Sequence, residues 1–543
     1  MLSKLIIPAI LYVNCFSQEF SWAKAYGGQG KGDDDLSSVS IDPSGNVFAA
    51  GKISDSNKFE DTVVVHKGIG AFFITRVDAL GHVKWFEYSK MKGYGSAGAI
   101  SVGHDKTGNV FALGWYSLSP TGEEFNVKGT SVSKVGVTGS DLDIFLLKYK
   151  PTGELEWLRK AGSDGTDDPL SMFVDSTGDV FISGKNEGAY TFSIGTRSYS
   201  PPNDETFLAK FSSAGTFQWV IRVAGPSVKG IKAISTDRAG NIYATGYLTG
   251  AISFYSSSNI LDTTIQTNGN IEVFIAKYSK DSQFRWVRTS RAIQSLQTSS
   301  SGTGILVDEA QNIFSSGYFT PYAGQLVMGN DTLKSSEPLG NQPFLIKCDS
   351  LGNIQWSRNV GPPLSRYATS SLIKRDTKNI YYSTSGGIHI INSNGNLLNS
   401  SPVGGITDFV VTNSGNIVVG GTFKNEIKLG SIPLKSEGAQ DQFGNTKWTT
   451  YLAEMKAPSL AIQGKINDPK FRIVISGDKF ILPQEGSGQM KVRIQDINGR
   501  NVESHLIRGP TGNQFSLRKF GKGIYYLSVE SSGFLNSAKI LIL

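Results

Sequence analysis

The sequence predicts an all-β fold, a β-propeller of about seven blades followed by a small Ig-like β-sandwich. Three observations lead there. A stretch close to Asp-x-x-Gly-Asn, followed by a β-branched residue and usually an aromatic, begins at Asp42, Asp105, Asp175, Asp237 and Asp308 and, in degenerate form, at Asp376 and Asn413. Seven of the eight tryptophans stand at one further place in the same unit. The composition, with 62 Gly, 11% aromatics and 18% charged residues, favours short strands and tight turns over helices.

The turn comes first in each unit. Its last positions (Asn46, Asn109, Asp179, Asn241, Asn312, Asn379, Asn416) sit 63, 70, 62, 71, 67 and 37 residues apart, the near-constant period of a repeat array. An apolar run precedes each turn, such as Val39-Ser-Ile41. A strand ending in glycine follows, as in Val47-Phe-Ala-Ala-Gly51 or Ile313-Phe-Ser-Ser-Gly317. Asp and Asn bond their own backbone in turns and Gly supplies positive φ, so each copy reads as two antiparallel strands on a tight turn. Gln311 stands where the other copies have Gly, and a less regular turn is expected there.

A variable polar stretch leads to the third strand: Phe73-Ile-Thr-Arg76, Phe145-Leu-Leu-Lys148, Phe207-Leu-Ala-Lys210, Phe274-Ile-Ala-Lys277 and Phe344-Leu-Ile-Lys347. Another turn and a tryptophan open the fourth. Trp22, Trp85, Trp157, Trp219, Trp286, Trp356 and Trp448 are assigned to this place as residues that pack neighbouring sheets; Trp115 is outside it. Hairpins or loops are expected in the variable stretches, for example 120–141 and 253–270. Copies six and seven are eroded, and copy seven reaches Trp448 without an evident Phe-x-x-Lys strand. The strand Trp22–Tyr26 has no blade of its own and is expected to complete the seventh, closing the ring.

The array, over about residues 20–452, resembles the SBBP-type bacterial β-propeller repeat. The shared order is Trp-x-x-x-x-Gly (Trp22 to Gly27), the Asp-x-x-Gly-Asn turn, the strand-ending Gly, Phe-x-x-Lys and Gly-x-x-x-Trp (Gly153 to Trp157). Ser282 departs from it where Gly is expected. The resemblance implies a secreted or surface scaffold and brings no catalytic residues.

The domains read as 1–17 signal peptide, 18–453 propeller, 454–466 linker and 467–543 C-terminal domain. Lys4, the apolar Leu5–Val13 and the small Cys15 and Ser17 fit a signal peptide, with lipidation of Cys15 the alternative. No segment approaches the roughly 20 apolar residues of a membrane span. After cleavage Cys348 is the remaining cysteine, expected to be buried and inert. The net charge of +7 includes no dense Lys/Arg run, which speaks against nucleic acid.

The last 77 residues form short alternating strands. They resemble the type A C-terminal sorting domain of the type IX secretion system of Bacteroidota, through Asp496-x-x-Gly499-Arg500, Phe515-x-Leu517, Gly523-Ile-Tyr525-Tyr-Leu-x-Val529, Gly533 and Lys539-Ile-Leu-Ile542. That resemblance implies recognition by an outer-membrane translocon and a sortase, and secreted or surface-attached localisation. Gly523, Tyr525, Gly533 and Lys539 are the candidate recognition residues, with a purely structural role the open alternative.

Chemistry is sparse. His66, His82, His104, His389 and His505 share no motif, and there is no Gly-x-Ser-x-Gly elbow or phosphate loop. No cofactor is called for except Ca²⁺, for which Asp33, Asp34 and Asp35, then Asp141 with Asp143 and Asp164 with Asp167 and Asp168, are the candidate carboxylates. Two functions follow. One is a non-enzymatic propeller binding a glycan or protein through its variable inserts. The other is a polysaccharide hydrolase or lyase with carboxylates converging at the central channel.

Overall fold

A computed structural model of the chain describes residues 19–456 except 28–32, 55, 60–61, 66–68, 92–94, 119–123, 136–141, 188–190, 201–204, 226–228, 268–269, 294–298, 321–324, 336–339, 361–372, 377–378, 385–386, 402, 404 and 437–446, and beyond them the strands between 463 and 542. The signal-peptide segment 1–17, Cys15, His66, Asp141 and Gly533 lie outside the described residues. The chain divides into two units, Met1–Lys456 and Ala457–Leu543. No helix occurs among the described residues.

The first unit is a β-propeller. Blade one runs Asp35–Ile41, Val47–Ile53, Ala71–Val77 and Val83–Tyr88, from innermost strand to outermost, all antiparallel. Six further sheets repeat this order among the described residues. Their innermost strands are Ser96–His104, Asp167–Val174, Lys229–Thr236, Ser299–Val307, Ile373–Arg375 and Ile406–Val411. Each touches the next, and the last touches Asp35–Ile41, so the ring is closed.

The Asp-x-x-Gly-Asn turns are self-contained. Asp42 Oδ1 accepts from the backbone N–H of Ser44 and Asn46 at 2.9 Å, and its Oδ2 accepts from Asn46 Nδ2 at 2.7 Å. Asp105, Asp237 and Asp308 repeat the pattern. Gln311 does not loosen its turn as expected. It takes φ 62°, and its N–H still reaches Asp308 O at 2.9 Å, because the aspartate bonds define the turn and a long polar residue tolerates the left-handed region at modest cost.

Neighbouring blades are fastened at the third and fourth strands. The Trp157 and Lys148 side chains both donate to Ser213 O of the following blade, at 3.3 and 2.9 Å. Trp85 with Arg76 does the same at Pro151 O, and Trp286 with Lys277 at Ser350 O. In the same layer the cation lies over the second-strand aromatic, Lys148 over Phe111 at 5.5 Å and Lys277 over Tyr243 at 5.1 Å. The indole covers the glycine of the next turn. A Cβ on Gly215, which has φ 74°, would sit 2.8 Å from the Trp157 ring. Gly-x-x-x-Trp therefore joins two blades.

Phe20–Tyr26 pairs with Thr449–Met455 as the outermost strand of the last blade, as expected. Trp22 stands opposite Glu454, the register that Trp85 has opposite Arg76. This corrects two expectations. Tyr451-Leu-Ala-Glu454 is the third strand of blade seven, in the place of Phe-x-x-Lys. Trp448 therefore precedes that strand instead of opening a fourth one; it is 40% exposed, with Lys424 over its ring at 4.8 Å. Its spacing from Gly444 matches the motif without the strand pairing that gives the motif its meaning. The linker boundaries shift too. The last propeller strand runs to Met455, and Gln463–Lys465 pairs with the terminal strand Phe534–Ile542.

The variable stretches are hairpins in six blades, for example Phe125–Val127 with Thr130–Val132 and Ala251–Tyr255 with Leu261–Gln266. They reach back to the preceding blade: Phe192–Ile194 pairs with Leu155–Gly162, and Ala251–Tyr255 with Phe217–Ala224. Phe125, Val127, Phe192, Ile194, Ile252 and Phe254 are fully buried there. Half of each insert is thus core. Cys348 is buried as well, and burial pushes its thiol up to about 12, leaving it inert at neutral pH.

Truncating Trp157 to Ala removes both the indole packing and its hydrogen bond, and is expected to cost about 3–5 kcal/mol. Trp448→Ala at the exposed site should stay within about 0.5 kcal/mol. Urea unfolding of the two variants checks the difference.

Candidate functional site: the bulged central channel

Six of the seven inner strands are interrupted at one place; Ile373–Arg375 pairs without a slip. The pairing slips between Leu36 and Ser38, Pro169 and Ser171, Ile231 and Ala233, Gly302 and Gly304, and Ile406 and Asp408; in blade two Ile100 is skipped. A bulge leaves one residue unpaired and turns its side chain aside. The residues so released, Ser37, Ile100, Leu170, Lys232, Thr303 and Thr407, all line one cavity of about 410 Å³ on the propeller axis. Strands of all seven blades contribute to it.

The strand-ending glycines are the other half of this arrangement. A Cβ on Gly51 would lie 1.9 Å from Asp35 O, on Gly246 1.8 Å from Gly230 O, and on Gly317 2.1 Å from Ser301 O. The bulge pushes a carbonyl across the second strand, and only glycine leaves room for it.

Charges in the lining are few. Lys232 carries an ammonium that makes no ion pair among the described residues; it lies 6.0 Å from the Tyr247 ring. Burial, then the neighbouring Lys185, lowers its pKa from the usual lysine value, opposed by Asp168. Lys374 stands 3.8 Å from Asp408 Oδ1, and Arg375 pairs with Glu309 at 2.6 Å. Asp408 is the carboxylate of the described lining, and it is committed to ring closure, accepting from Ser38 Oγ at 3.0 Å and Val39 N at 2.9 Å. The carboxylate pair that hydrolysis of a glycosidic bond requires is not formed by these residues. A hydroxyl- and cation-lined hole suits hydrogen-bonding or anionic groups.

The proposed calcium carboxylates are dispersed. Asp33 Oδ1 accepts from Trp448 N, buried Asp34 accepts from Ser54 N at 3.0 Å, and Asp35 accepts from Ser37 Oγ. Among the described residues no three His, Cys, Asp or Glu side chains are grouped to share a metal. His389, bonded to Thr384 and Ser400, is held neutral by burial, its pKa pushed down to about 4.

Of the other acidic groups, the structure buries Asp143 and Asp167 near each other. Asp167 accepts from Ser163 Oγ at 2.8 Å through one oxygen, and burial, with the Asp143 charge as a smaller contribution, pushes its pKa up to about 8.

In the second unit, Gly523–Ser531 lies between Gln489–Asp496 and Phe534–Ile542 in a five-stranded sheet, and the unit also has a three-stranded sheet. Tyr525 pairs with Asp496 and Ile540, Gly523 with Ile542, and Lys539 with Tyr526 and Gln463. Three of the four candidate recognition residues thus stand on two adjacent strands. Residues 476–543 match the family described as secretion system C-terminal sorting domain. The C-terminal unit is a type IX sorting domain. It supports secretion to the cell surface or beyond.

The sorting domain is preceded by a propeller with distant relatives. The chain is 25% identical over 314 residues to an uncharacterized WD repeat-containing protein of Acanthamoeba polyphaga mimivirus, covering 50% of this chain and 22% of that one. It thus spans about a fifth of that relative's length. Among solved structures it is similar to PorZ, an essential surface component of the type-IX secretion system of Porphyromonas gingivalis, with 10% identity, coverage of 96% and 100% and a TM-score of 0.24. A protein of unknown function from Dyadobacter fermentans has 8% identity, coverage of 80% and 99% and a TM-score of 0.34. Overlays this loose carry no functional meaning.

Asp167 predicts a pH dependence. Its folded pKa lies above the unfolded value of 3.8, so the folded chain keeps a proton that the unfolded chain releases. The stabilisation is present below pH 3.8 and is lost progressively as pH rises to about 8. Asp167→Asn should flatten the loss of urea midpoint between pH 5 and 8.

Proposed function

We propose that the chain is a non-enzymatic binding protein, exported by the type IX route and displaying its propeller outside the cell to hold a glycan or a protein. The observation that carries the binding reading is the set of six bulges. A bulge weakens the ladder, yet it recurs at one place in six blades and each time delivers a side chain to the same cavity. Lys232 gives that cavity a cation without an ion pair among the described residues, which favours a ligand with carboxylate, sulfate or hydroxyl groups.

The direction of the strands supports one mouth as the binding face. In an antiparallel four-stranded blade, the turns after the first and third strands fall on one face, and the inserts and blade connections on the other. The bulges lie near the starts of the inner strands, on the insert side. The hairpins extend the sheets beyond the outermost strands, at the rim of the same face, where a rigid scaffold carries recognition. The likeness of the array to SBBP-type repeats supports the same surface role. The translocon and sortase are the proposed partners of the sorting domain.

Two experiments test this reading. A glycan array and a pull-down with the full chain should return ligands whose binding weakens at least about tenfold in Lys232→Ala; blank screens, or hits indifferent to the substitution, count against it. Cell fractionation should find the chain at the surface or in the medium, and find it retained inside when residues 476–543 are deleted.

A further inference from the structure

A second cavity, of about 500 Å³, lies at the seam between the last blade and the first. Trp22, Asp42, His104, Thr412, Val418 and Glu454 are among its walls. It opens where the blade-to-blade fastening departs from its pattern. In blades one to five the corresponding layer consists of an aromatic on the second strand, a cation opposite it on the third, and a tryptophan on the fourth. Phe48, Arg76 and Trp85 form it in blade one, and Phe314, Lys347 and Trp356 in blade five. At the seam the second strand has Val418 and the third has Glu454, paired in the same register, with Trp22 completing the layer.

Three consequences follow. The aromatic that would fill the space is reduced to a valine. The carbonyl that takes both indole and cation from blades one, two and four, here Ala79 O, receives Trp22 Nε1 at 2.9 Å and no cation among the described residues. Where the repeat supplies a positive charge there is instead a half-buried carboxylate. Glu454 Oε1 accepts from Asn416 Nδ2 at 3.0 Å, and no described lysine or arginine forms an ion pair with it. His104 adds no positive charge, since burial lowers its pKa. Its Nδ1 is 2.8 Å from Ser40 Oγ. Asp42, with its turn bonds, adds a second negative charge at the wall.

We propose that this seam pocket accepts the side chain of a lysine or arginine from a partner protein. The incoming ammonium or guanidinium occupies the place that Lys148 or Arg76 takes in the other blades. It meets the carbonyl of Ala79 and the carboxylate of Glu454, and its aliphatic stem lies against Val418 and Trp22. The chain's own repeat shows that a cation on an aliphatic stem fits this layer: Lys148 Nζ donates to Ser213 O while stacking on Phe111. The seam is separate from the bulged channel, so the two sites can fail independently.

Calorimetric titration of the full chain tests the proposal with Nα-acetyl-lysine methylamide and Nα-acetyl-arginine methylamide. The uncharged control is Nα,Nε-diacetyl-lysine methylamide. Both charged probes should bind and the control should not. Glu454→Gln, nearly isosteric, should weaken binding at least about tenfold. The pair Val418→Phe with Glu454→Lys restores the repeat layer; it should abolish binding with an unchanged or raised melting temperature. Lys232→Ala should leave binding as it is. Absence of heat with the charged probes, equal binding of the diacetyl control, indifference to Glu454→Gln, or loss in Lys232→Ala would each overturn the assignment.

Discussion

The propeller depends on one contact repeated at three of its blade junctions: an indole and a cation from blades one, two and four meeting the turn carbonyl of the next blade. No blade can bury both faces of its sheet alone, so the fold stands on its blade-to-blade interfaces. Hydrophobic packing between sheets is plastic about sliding. A shared carbonyl is not, because two donors on different strands reach it together in one register only. The indole resting on a glycine of the next turn sets the approach distance as well. Arg159 and Arg288, stacked on Trp157 and Trp286, donate to Gly215 O and Gly352 O at 2.7 and 2.9 Å and extend the same fastening.

The fastening also explains where the repeat decays. Blade six should grip the turn between the third and fourth strands of blade seven. No such turn exists, because those strands are the two ends of the ring: Lys456 N donates to Glu19 O at 2.9 Å, and Lys456 Nζ pairs with Glu19. Blade six accordingly has Ile390 and Asn399 where the others have a cation and a tryptophan. At the other side of the closure, Trp22 keeps the indole bond while Glu454 replaces the cation. In blade six the cation and the tryptophan lapse together where closure removes their partner turn, whereas at the seam the carbonyl of Ala79 remains and only the cation is replaced.

Much of this was legible in the residues. The turn, the glycines, Phe-x-x-Lys and the tryptophans marked the strands and the closing role of Phe20–Tyr26, because hairpin geometry and period-two burial are local. The glycine after Val47-Phe-Ala-Ala was visible as a signal, but its meaning was not: Gly51 is glycine because a carbonyl from a bulged neighbour strand crosses it. Had that been read, the bulge residues Ser37 and Lys232 could have been found from the sequence. Trp448 misled because spacing alone cannot distinguish a fourth-strand tryptophan from one in a loop. Tyr451-Leu-Ala-Glu454 was missed because its charge is reversed.

The sequence by itself determined the strands, the tight turns, the number of repeated motifs and the sorting domain at the C-terminus. These rest on dihedral preferences and side-chain bonds within a few residues, or on an ordered set of motifs near the chain end. Only the tertiary structure decided that the variable inserts are half core, that six bulges converge on one channel, and that the seam has a carboxylate where other blades have a cation. Those facts depend on residues brought together from different blades. A contact of that kind leaves no trace in spacing until the ring closes and its partners meet.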